Sequence, residues 1–281
     1  MVAPILEMKN VSKQFGATAA LSNLSFEMFP GEIHALVGEN GAGKSTLIKA
    51  MTGIHQPSSG EIWVDGSARI LRTTQEAQAI GIAAIYQEPM VFPDLDVAEN
   101  IFINHHSRRQ FIRWNDMYEE AEAVIAKLGV SLDVRRPAST LTLAEQQTVE
   151  IARAISLDVR VLIMDEPSAS LSDHEVQRLF SIARSLSSQG VAVLYISHRL
   201  EEIFALADRV TVMRDGTHIS TKLIDDVTHE GLVTEMVGRD MKGRFARKPS
   251  TATGDDMLTV QGLSKRGVFS DISFSVEKGE I

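Results

Sequence analysis

The sequence predicts an α/β fold in which a mostly parallel sheet is flanked by helices. Residues 159–164 and 191–196 are almost continuously apolar and rich in β-branched side chains, as expected for parallel strands that are buried on both faces. A third apolar run, residues 33–37, leads into a glycine-rich loop and then into a helical stretch. Strands that alternate with helices in this order indicate an α/β domain.

The glycine-rich loop fits the pattern G-x-x-x-x-G-K-[ST], which binds nucleotide phosphates. It consists of Gly38, Glu39, Asn40, Gly41, Ala42, Gly43, Lys44, Ser45 and Thr46. The glycines leave the backbone free to turn successive N–H groups toward phosphate oxygens. Lys44 supplies a positive charge for the β- and γ-phosphates, and Ser45 supplies a hydroxyl for Mg²⁺. Because the positive end of the following helix also attracts anions, the loop predicts binding of ATP with Mg²⁺.

Two further segments predict the local structure that follows this loop. Residues 57–66 contain a turn, the strand-like Ile-Trp-Val and then Asp-Gly, which predicts a small antiparallel hairpin region. Residues 117–128 carry apolar side chains at helical spacing, and Gly129 follows as a helix stop.

Two acids, Asp165 and Glu166, follow the apolar run of residues 161–164. Phosphoryl-transfer enzymes bring a carboxylate to their metal in this way. We therefore expect Asp165 to hold Mg²⁺, directly or through water, and Glu166 to deprotonate the water that attacks the γ-phosphate. The alternative, an acidic turn exposed to solvent, is disfavoured by the phosphate loop upstream.

His198 and Gln87 each follow a predicted strand, and ligands of open α/β sheets bind at the carboxyl ends of the strands. His198 is a candidate for contacting the γ-phosphate or the attacking water, and Gln87 for the metal or the water. Position alone is weak evidence for both, because a lone histidine is more often structural.

Composition excludes several classes of protein. The chain has 281 residues, 44% of them hydrophobic, no cysteine and a formal net charge of −9. It therefore has no disulfide framework and no thiolate metal site, and the negative charge argues against nucleic acid as a partner. No apolar stretch approaches the roughly 20 residues that cross a bilayer, and the first ten residues lack the pattern of a signal peptide. These features predict a cytoplasmic protein.

An internal repeat relates residues 6–33 to residues 258–281, with both copies ending in Gly-Glu-Ile. We therefore expect residues 1–240 to form a first domain, residues 241–257 a linker, and residues 258–281 the truncated start of a second, related domain. Alternatively, residues 258–281 fold back as a spare strand of the first domain. The connecting stretch is basic, then small and polar, which favours a solvated linker over a contact with a partner or lipid headgroups.

Taken in order, these motifs resemble the ATP-binding subunit of ABC transporters over the whole first domain. The resemblance implies a P-loop NTPase of ABC type with an antiparallel β subdomain and a helical subdomain at about residues 90–157. It assigns Phe15 to the aromatic that stacks on adenine, Gln87 to the glutamine loop and His198 to the switch histidine. It also assigns Asp165 to the metal and Glu166 to the catalytic base.

One motif departs from the family pattern. The signature Leu-Ser-Gly-Gly-Gln corresponds here to Leu141, Thr142, Leu143, Ala144 and Glu145. Thr142 and Glu145 can still form a capping box, so the helix start survives. Glu145, however, places an acid where the signature normally meets the γ-phosphate of ATP held by the opposite domain. If its carboxylate faces that phosphate, we expect repulsion and lower activity at the site built from this signature.

A narrower resemblance, to the tandem ATPases of bacterial monosaccharide importers, rests on residues 87–89, 97–102, 146–152 and 196–200. It implies an ATP hydrolase that powers sugar import from the cytoplasmic face of the inner membrane. The implied partners are a second nucleotide-binding domain in the same chain or a homodimer, transmembrane permease subunits and, indirectly, a periplasmic sugar-binding protein. Residues 89–111 are the candidate surface for the permease. The chain itself does not reveal which sugar is carried.

Two other functions compete with this interpretation. One is a soluble ABC-type ATPase that acts on ribosomes or nucleic acid. The connection between the repeats, however, is short and interrupted by Pro249 and Gly254, and zinc modules and long coiled coils do not appear in the sequence. The other is a non-catalytic nucleotide-sensing module in which Glu166 is idle.

Overall fold

A computed structural model describes residues 3–105, 113–238 and 255–278, which belong to two compact units, Met1–Arg239 and Asp240–Ile281. The strands of the first unit are β1 Leu6–Phe15, β2 Thr18–Met28, β3 Ile33–Val37, β4 Ser59–Val64, β5 Ser67–Arg69, β6 Ile82–Ile85, β7 Val161–Asp165, β8 Ala192–Ile196, β9 Arg209–Arg214 and β10 Thr217–Leu223. Its helices are α1 Lys44–Met51, α2 Thr74–Ala79, α3 Val97–Phe102, α4 Trp114–Lys127, α5 Leu143–Ser156, α6 Asp173–Ser188, α7 Leu200–Leu206 and α8 His229–Val237.

The larger sheet has the strand order β10-β9-β3-β8-β7-β6. The strands from β9 to β6 are parallel, and β10 pairs with β9 in the antiparallel sense. All five residues of β3 and of β8 are buried, in line with their apolar runs. The predicted α/β fold is thereby confirmed. Because β3, β8 and β7 are neighbours, the segments that follow them meet at one edge of the sheet.

A second sheet is antiparallel, with the order β2-β1-β4-β5. The sequence predicted a hairpin region at β4 and β5, and the resemblance implied an antiparallel subdomain without its strand pairing. In the structure β1 pairs with β4, so the segment before the phosphate loop supplies half of this sheet. Leu6 and Met8 of β1 are buried in the same apolar cluster as Leu47 and Met51 of α1. The antiparallel sheet therefore packs on the helix that follows the phosphate loop.

Helices α3, α4 and α5 supply the helical part of the first unit. Helix α4 was predicted from residue 117, but it begins at Trp114, because apolar periodicity does not mark a first turn that is exposed. The residues after it leave the helix at Gly129, whose φ is 68°. The buried positions Ala121, Val124 and Ile125 share the apolar core with α3 and α5.

The second unit is one antiparallel hairpin, β11 Asp256–Lys265 and β12 Phe269–Glu277. It repeats the β1–β2 hairpin in detail. The N–H of Asn10 donates to Ser25 Oγ at 3.1 Å, and the equivalent N–H of Gly262 donates to Ser273 Oγ at 2.9 Å. The register repeats as well: the pairs Leu6–Met28, Met8–Phe26 and Val11–Leu24 correspond to Leu258–Val276, Val260–Phe274 and Leu263–Ile272.

The two hairpins differ in how far their apolar side chains are exposed. In the first hairpin Leu6, Met8 and Phe26 are buried, whereas in the second Leu258 and Phe274 are about half exposed, at 51% and 48%. The described residues of this hairpin form a two-stranded sheet. The predicted linker lies outside the described residues up to position 254.

Within residues 3–105, 113–238 and 255–278, no helix combines the length and the apolar character needed to cross a bilayer.

Candidate functional site

The phosphate loop connects β3 to α1 and depends on its glycines. Gly43, which precedes α1, has a φ of 99°, and Gly41 has a φ of 86°, a left-handed range that side chains other than hydrogen rarely adopt. A Cβ at Gly38 would lie 2.4 Å from the carbonyl oxygen of Met213, whereas a Cβ at Gly41 would meet no heavy atom within 4 Å. Packing therefore requires glycine at position 38, whereas the left-handed turn on the open side of the loop requires it at position 41.

Lys44 lies within the curve of this loop. Its Nζ donates to the carbonyl oxygens of Gly38 at 2.7 Å and Glu39 at 3.1 Å. Burial lowers the pKa of the Lys44 ammonium, and the charges of Glu166 and Asp165 partly offset this effect. Glu39, Asn40 and Ser45 are exposed around it. The structure thus places one cation in a glycine-rich loop at the start of a helix, which suits a polyphosphate.

The turn around Gly43 gives a first testable prediction. In Gly43→Ala the new Cβ would lie 2.7 Å from the carbonyl oxygen of Ala20 at a φ of 99°, so we expect the variant to lose about 1–3 kcal/mol of unfolding free energy and to bind ATP more weakly. Gly190→Ala is the matched control, because Gly190 has a φ of 93° but open space around it. Urea unfolding and nucleotide titration should show a smaller stability loss and unchanged ATP affinity for the control. Equal effects of both variants on affinity would contradict the assignment.

Asp165 and Glu166 end β7 in different environments. Burial raises the pKa of Asp165, as does the neighbouring charge of Glu166, while Lys44 and Lys49 lower it. Glu166 has a φ of 50°, which is unusual for a residue with a side chain, and its N–H donates to the carbonyl oxygen of Ile196 at 3.0 Å. Strained backbone of this kind is concentrated at functional sites.

His198 and Glu166 are brought together by the register of β7 and β8, in which Asp165 lies opposite Ile196. The Nδ1 atom of His198 is 3.3 Å from Oε2 of Glu166, and the side chains are 64% and 26% exposed. The imidazole and the carboxylate therefore form a pair that solvent can reach, at the same sheet edge as the phosphate loop. This pair could hold and deprotonate a water molecule.

Gln87 and Phe15 lie at the margins of this site. Gln87 follows β6, which pairs with β7, and it is exposed. Phe15 ends β1, is 44% exposed, and packs edge-on against His55 with the ring centroids 5.1 Å apart. Both side chains are therefore accessible to a ligand, although neither takes part in the contacts described above for Lys44 and for the Glu166–His198 pair.

The signature segment starts α5 as the sequence predicted, with a capping box between Thr142 and Glu145. The N–H of Thr142 donates to Glu145 Oε2 at 2.7 Å. Both guanidinium NH groups of Arg136 donate to the same carboxylate, at 2.8 and 2.6 Å, and they hold the pKa of Glu145 below its usual range. The Glu145 charge is thus turned toward the helix start and matched by a cation, which weakens the repulsion expected from the sequence.

Two buried side chains near the site were missed in the sequence. Gln147 of α5 donates through Nε2 to the carbonyl oxygen of Pro167 at 2.6 Å, which ties the signature helix to the loop after Glu166. Glu202 of α7 is only 6% exposed and accepts hydrogen bonds from the hydroxyl groups of Ser168 and Ser197. A polar residue on a buried helix face gives no periodic signal, so the sequence could not single out either residue.

The donor set suits a magnesium ion. The hydroxyl of Ser45, the carboxylate of Asp165 and the amide oxygen of Gln87 are hard oxygen ligands, the type that Mg²⁺ prefers alongside phosphate oxygens. In the part of the chain that the structure describes, no group of three or more His, Cys, Asp or Glu side chains could hold a metal ion.

Known proteins resemble the chain at both the sequence and the structure level. It is 50% identical over 281 residues to the ribose import ATP-binding protein RbsA 2 of Streptomyces avermitilis, covering 99% of this chain and 55% of that protein. It is 52% identical over 280 residues to the ribose import ATP-binding protein RbsA of Rhodococcus jostii, covering 99% of this chain and 56% of that protein. The chain thus spans about half the length of the curated relatives it matches.

Among solved structures, the ADP conformation of an ATP-binding cassette from an ABC transporter matches with a TM-score of 0.75 and 25% identity, covering 85% of this chain and all of that one. A nucleotide-free cassette from an ABC transporter matches with a TM-score of 0.71 at 25% identity, covering 85% of this chain and 97% of that one. The family model described as ABC transporter matches residues 21–169, from β2 to the loop after the paired acids. The chain therefore belongs to the ABC transporter family.

Proposed function

We propose that the chain binds and hydrolyses ATP to power import of a monosaccharide through a separate permease. The observation that carries the proposal is the convergence of Lys44, Asp165 and the Glu166–His198 pair at one sheet edge. The importer relatives, whose names specify ribose, support the choice of sugar class.

ATP binding would use the loop from Gly38 to Thr46. Its backbone N–H groups donate to the phosphates, and Lys44 exchanges its two carbonyl partners for phosphate oxygens. Ser45, Asp165 and Gln87 would hold Mg²⁺, which neutralises charge on the phosphates when bound. Phe15, exposed beyond the loop, would stack on the adenine ring.

Hydrolysis would depend on the pair beside the loop. Glu166 takes a proton from water as the water oxygen bonds to the γ-phosphorus, and the bond between that phosphorus and the β,γ-bridging oxygen breaks to leave ADP and phosphate. His198, whose Nδ1 is 3.3 Å from Glu166, would orient the carboxylate and contact the γ-phosphate or the water. The proton then passes from the carboxylate to solvent.

A complete site requires a second nucleotide-binding domain, from the same chain or from a homodimer. Its signature helix would close over ATP on this domain, while the segment Leu141–Glu145 would serve the opposite site. We propose residues 1–240 as the first such domain, with its helical subdomain at about 90–157, residues 241–257 as a linker and residues 258–281 as the start of the second. The hydrogen bonds and register that the two hairpins share support this division.

The permease would dock beside Gln87. A groove of about 590 Å³ lies between β6, α5 and the segment after Gln87. Met90, Phe92 and Ile103 line it and are exposed by 65%, 51% and 38%. These residues belong to the surface 89–111 predicted from the sequence, of which residues 106–111 lie outside the described residues. The chain would thus act at the cytoplasmic face of the inner membrane, with the periplasmic sugar-binding protein as an indirect partner and without nucleic acid.

This docking surface gives a second prediction. Phe92→Asp should lower sugar uptake by cells about tenfold or more, because a charge buried in an apolar interface costs several kcal/mol. ATP affinity of the purified variant should stay unchanged. Ile70→Asp is the matched control, since Ile70 is 69% exposed outside the groove. The measurement is uptake of labelled ribose by cells that carry each variant. Normal uptake with Phe92→Asp would exclude the groove as the docking surface.

The ATPase activity itself is tested by calorimetry and turnover. We expect residues 1–281 to give a binding isotherm with Mg·ATP and to hydrolyse ATP slowly as a monomer, because the proposed site is completed by the signature of a second domain. Absence of heat beyond dilution would reject the proposal, and fast turnover by a monomer would reject the shared site. Co-sedimentation with ribosomes would favour the soluble alternative, and binding without any turnover would favour a nucleotide sensor.

A further inference from the structure

A buried carboxylate, that of Glu202, bridges the segments that follow β7 and β8. Glu202 of α7 is 6% exposed, and its Oε2 atom accepts three hydrogen bonds. The donors are Ser168 Oγ at 2.6 Å, Ser197 Oγ at 2.8 Å and Tyr195 OH at 2.9 Å. The other carboxylate oxygen, Oε1, is 3.5 Å from a guanidinium nitrogen of Arg199. One carboxylate oxygen thus accepts hydrogen bonds from three side chains, which belong to two different segments of the chain.

The direction of these hydrogen bonds is fixed by chemistry. Burial and the nearby Glu202 carboxylate raise the pKa of the Tyr195 phenol, so it keeps its proton and donates. Ser197 uses its oxygen to accept the N–H of Arg199 at 3.0 Å, which leaves its own proton for Glu202. A carboxylate can accept all three protons, whereas an amide offers a single acceptor oxygen and adds two donors.

Two of the donors adjoin the residues of the candidate site. Ser197 precedes His198, and Ser168 is two residues after Glu166. Since His198 and Glu166 are themselves 3.3 Å apart, the contacts close a ring that runs from Glu166 to Ser168, across Glu202 to Ser197, and back through His198. The third donor, Tyr195, lies one residue before Ile196 inside β8 and its ring packs against Phe180. It links Glu202 to the core, not to the site.

We infer that Glu202 is a positioning residue for hydrolysis, whose carboxylate fixes His198 relative to Glu166 by holding Ser197 and Ser168. This inference rests on the proposed ATPase function and adds a residue that touches neither nucleotide nor metal. The Glu202 carboxylate holds the segments of Ser168 and Ser197 together. The distance between these segments determines whether the His198 imidazole and the Glu166 carboxylate can bind the same water molecule. All three donors are themselves nearly inaccessible, so solvent cannot replace the lost contacts.

The test compares Glu202→Gln with Tyr195→Phe in the full chain. Glu202→Gln should lower kcat for ATP about 10- to 100-fold, because small misplacements of catalytic groups have effects of this size, while KM and ATP affinity change less than about twofold. Tyr195→Phe removes one hydrogen bond from the same carboxylate but leaves both site segments attached, so it should keep kcat near the wild-type value. Thermal unfolding of both variants measures the structural cost separately.

A double-mutant cycle tests the route of the effect. In a His198→Ala background, Glu202→Gln should add little to the loss of kcat, because the group that it positions is already absent. If Glu202→Gln does not fold, Ser197→Ala and Ser168→Ala each remove one link and should each lower kcat at constant KM. Equal kcat losses for Tyr195→Phe and Glu202→Gln, or full additivity with His198→Ala, would overturn the inference. A wild-type chain without any turnover would instead reject the proposed ATPase function.

Discussion

Glu166→Gln is expected to lower ATP turnover by about 10²- to 10⁴-fold, the usual contribution of a well-placed general base. The amide cannot take a proton from water, yet it has nearly the shape of the carboxylate and can occupy the same left-handed backbone position, φ 50°. ATP affinity should therefore be retained or slightly raised, since one negative charge near the phosphates is removed. Single-turnover hydrolysis and nucleotide titration measure the two effects independently.

The matched control for this variant is Glu201→Gln. It makes the same chemical change at an exposed position of α7, at the neighbouring residue to Glu202. Turnover of Glu201→Gln should equal that of the wild type. If Glu166→Gln also retained wild-type turnover, Glu166 would not be the base, and the acids at the end of β7 would be reduced to holding the metal.

Lys44→Ala is expected to weaken ATP binding about 10- to 100-fold, because one hydrogen bond from a charged donor contributes about 1.5–3 kcal/mol and the proposed binding mode turns this ammonium toward the phosphates. The variant also leaves the carbonyl oxygens of Gly38 and Glu39 without their partner. Titration calorimetry with Mg·ATP measures the affinity.

Lys127→Ala serves as the control for charge, since Lys127 ends α4 and is exposed. It removes one positive charge from the chain without touching the phosphate loop, so its isotherm should match that of the wild type. Wild-type affinity in Lys44→Ala would show that the ammonium does not face the phosphates, and the loop would lose its role as the nucleotide site.

The phosphate loop and the central strands could be predicted because their signals are local. A strand, a glycine-rich loop and a helix start lie within residues 33–51, and each element follows from backbone freedom or apolar runs in its own segment. The convergence of Glu166 and His198 was also accessible, because two parallel strands that end in polar residues place them at one edge. The pairing of β1 with β4 was not predicted, since strand partners are chosen by packing across the fold.

Side-chain direction was the least predictable feature. The sequence left open whether the Glu145 carboxylate faces a phosphate, because its orientation depends on a hydrogen bond from Arg136, nine residues earlier in the chain. Glu201 and Glu202 are equivalent in the sequence, and only one of them faces the core. Glu202 lies on the same helix side as Leu206, four residues on, and that choice is fixed by the hydroxyl groups of β8 and of the loop after β7.

The left-handed backbone conformation of Glu166 is unfavourable for folding, yet it carries the carboxylate that the proposed chemistry needs. Glycine would occupy this conformation without steric cost, whereas a residue with a side chain gives up about 1 kcal/mol or more of folding free energy there. Under the proposed function, the carboxylate that the chemistry needs stands where glycine would serve the fold better, so the end of β7 gives up stability for catalysis at a single residue.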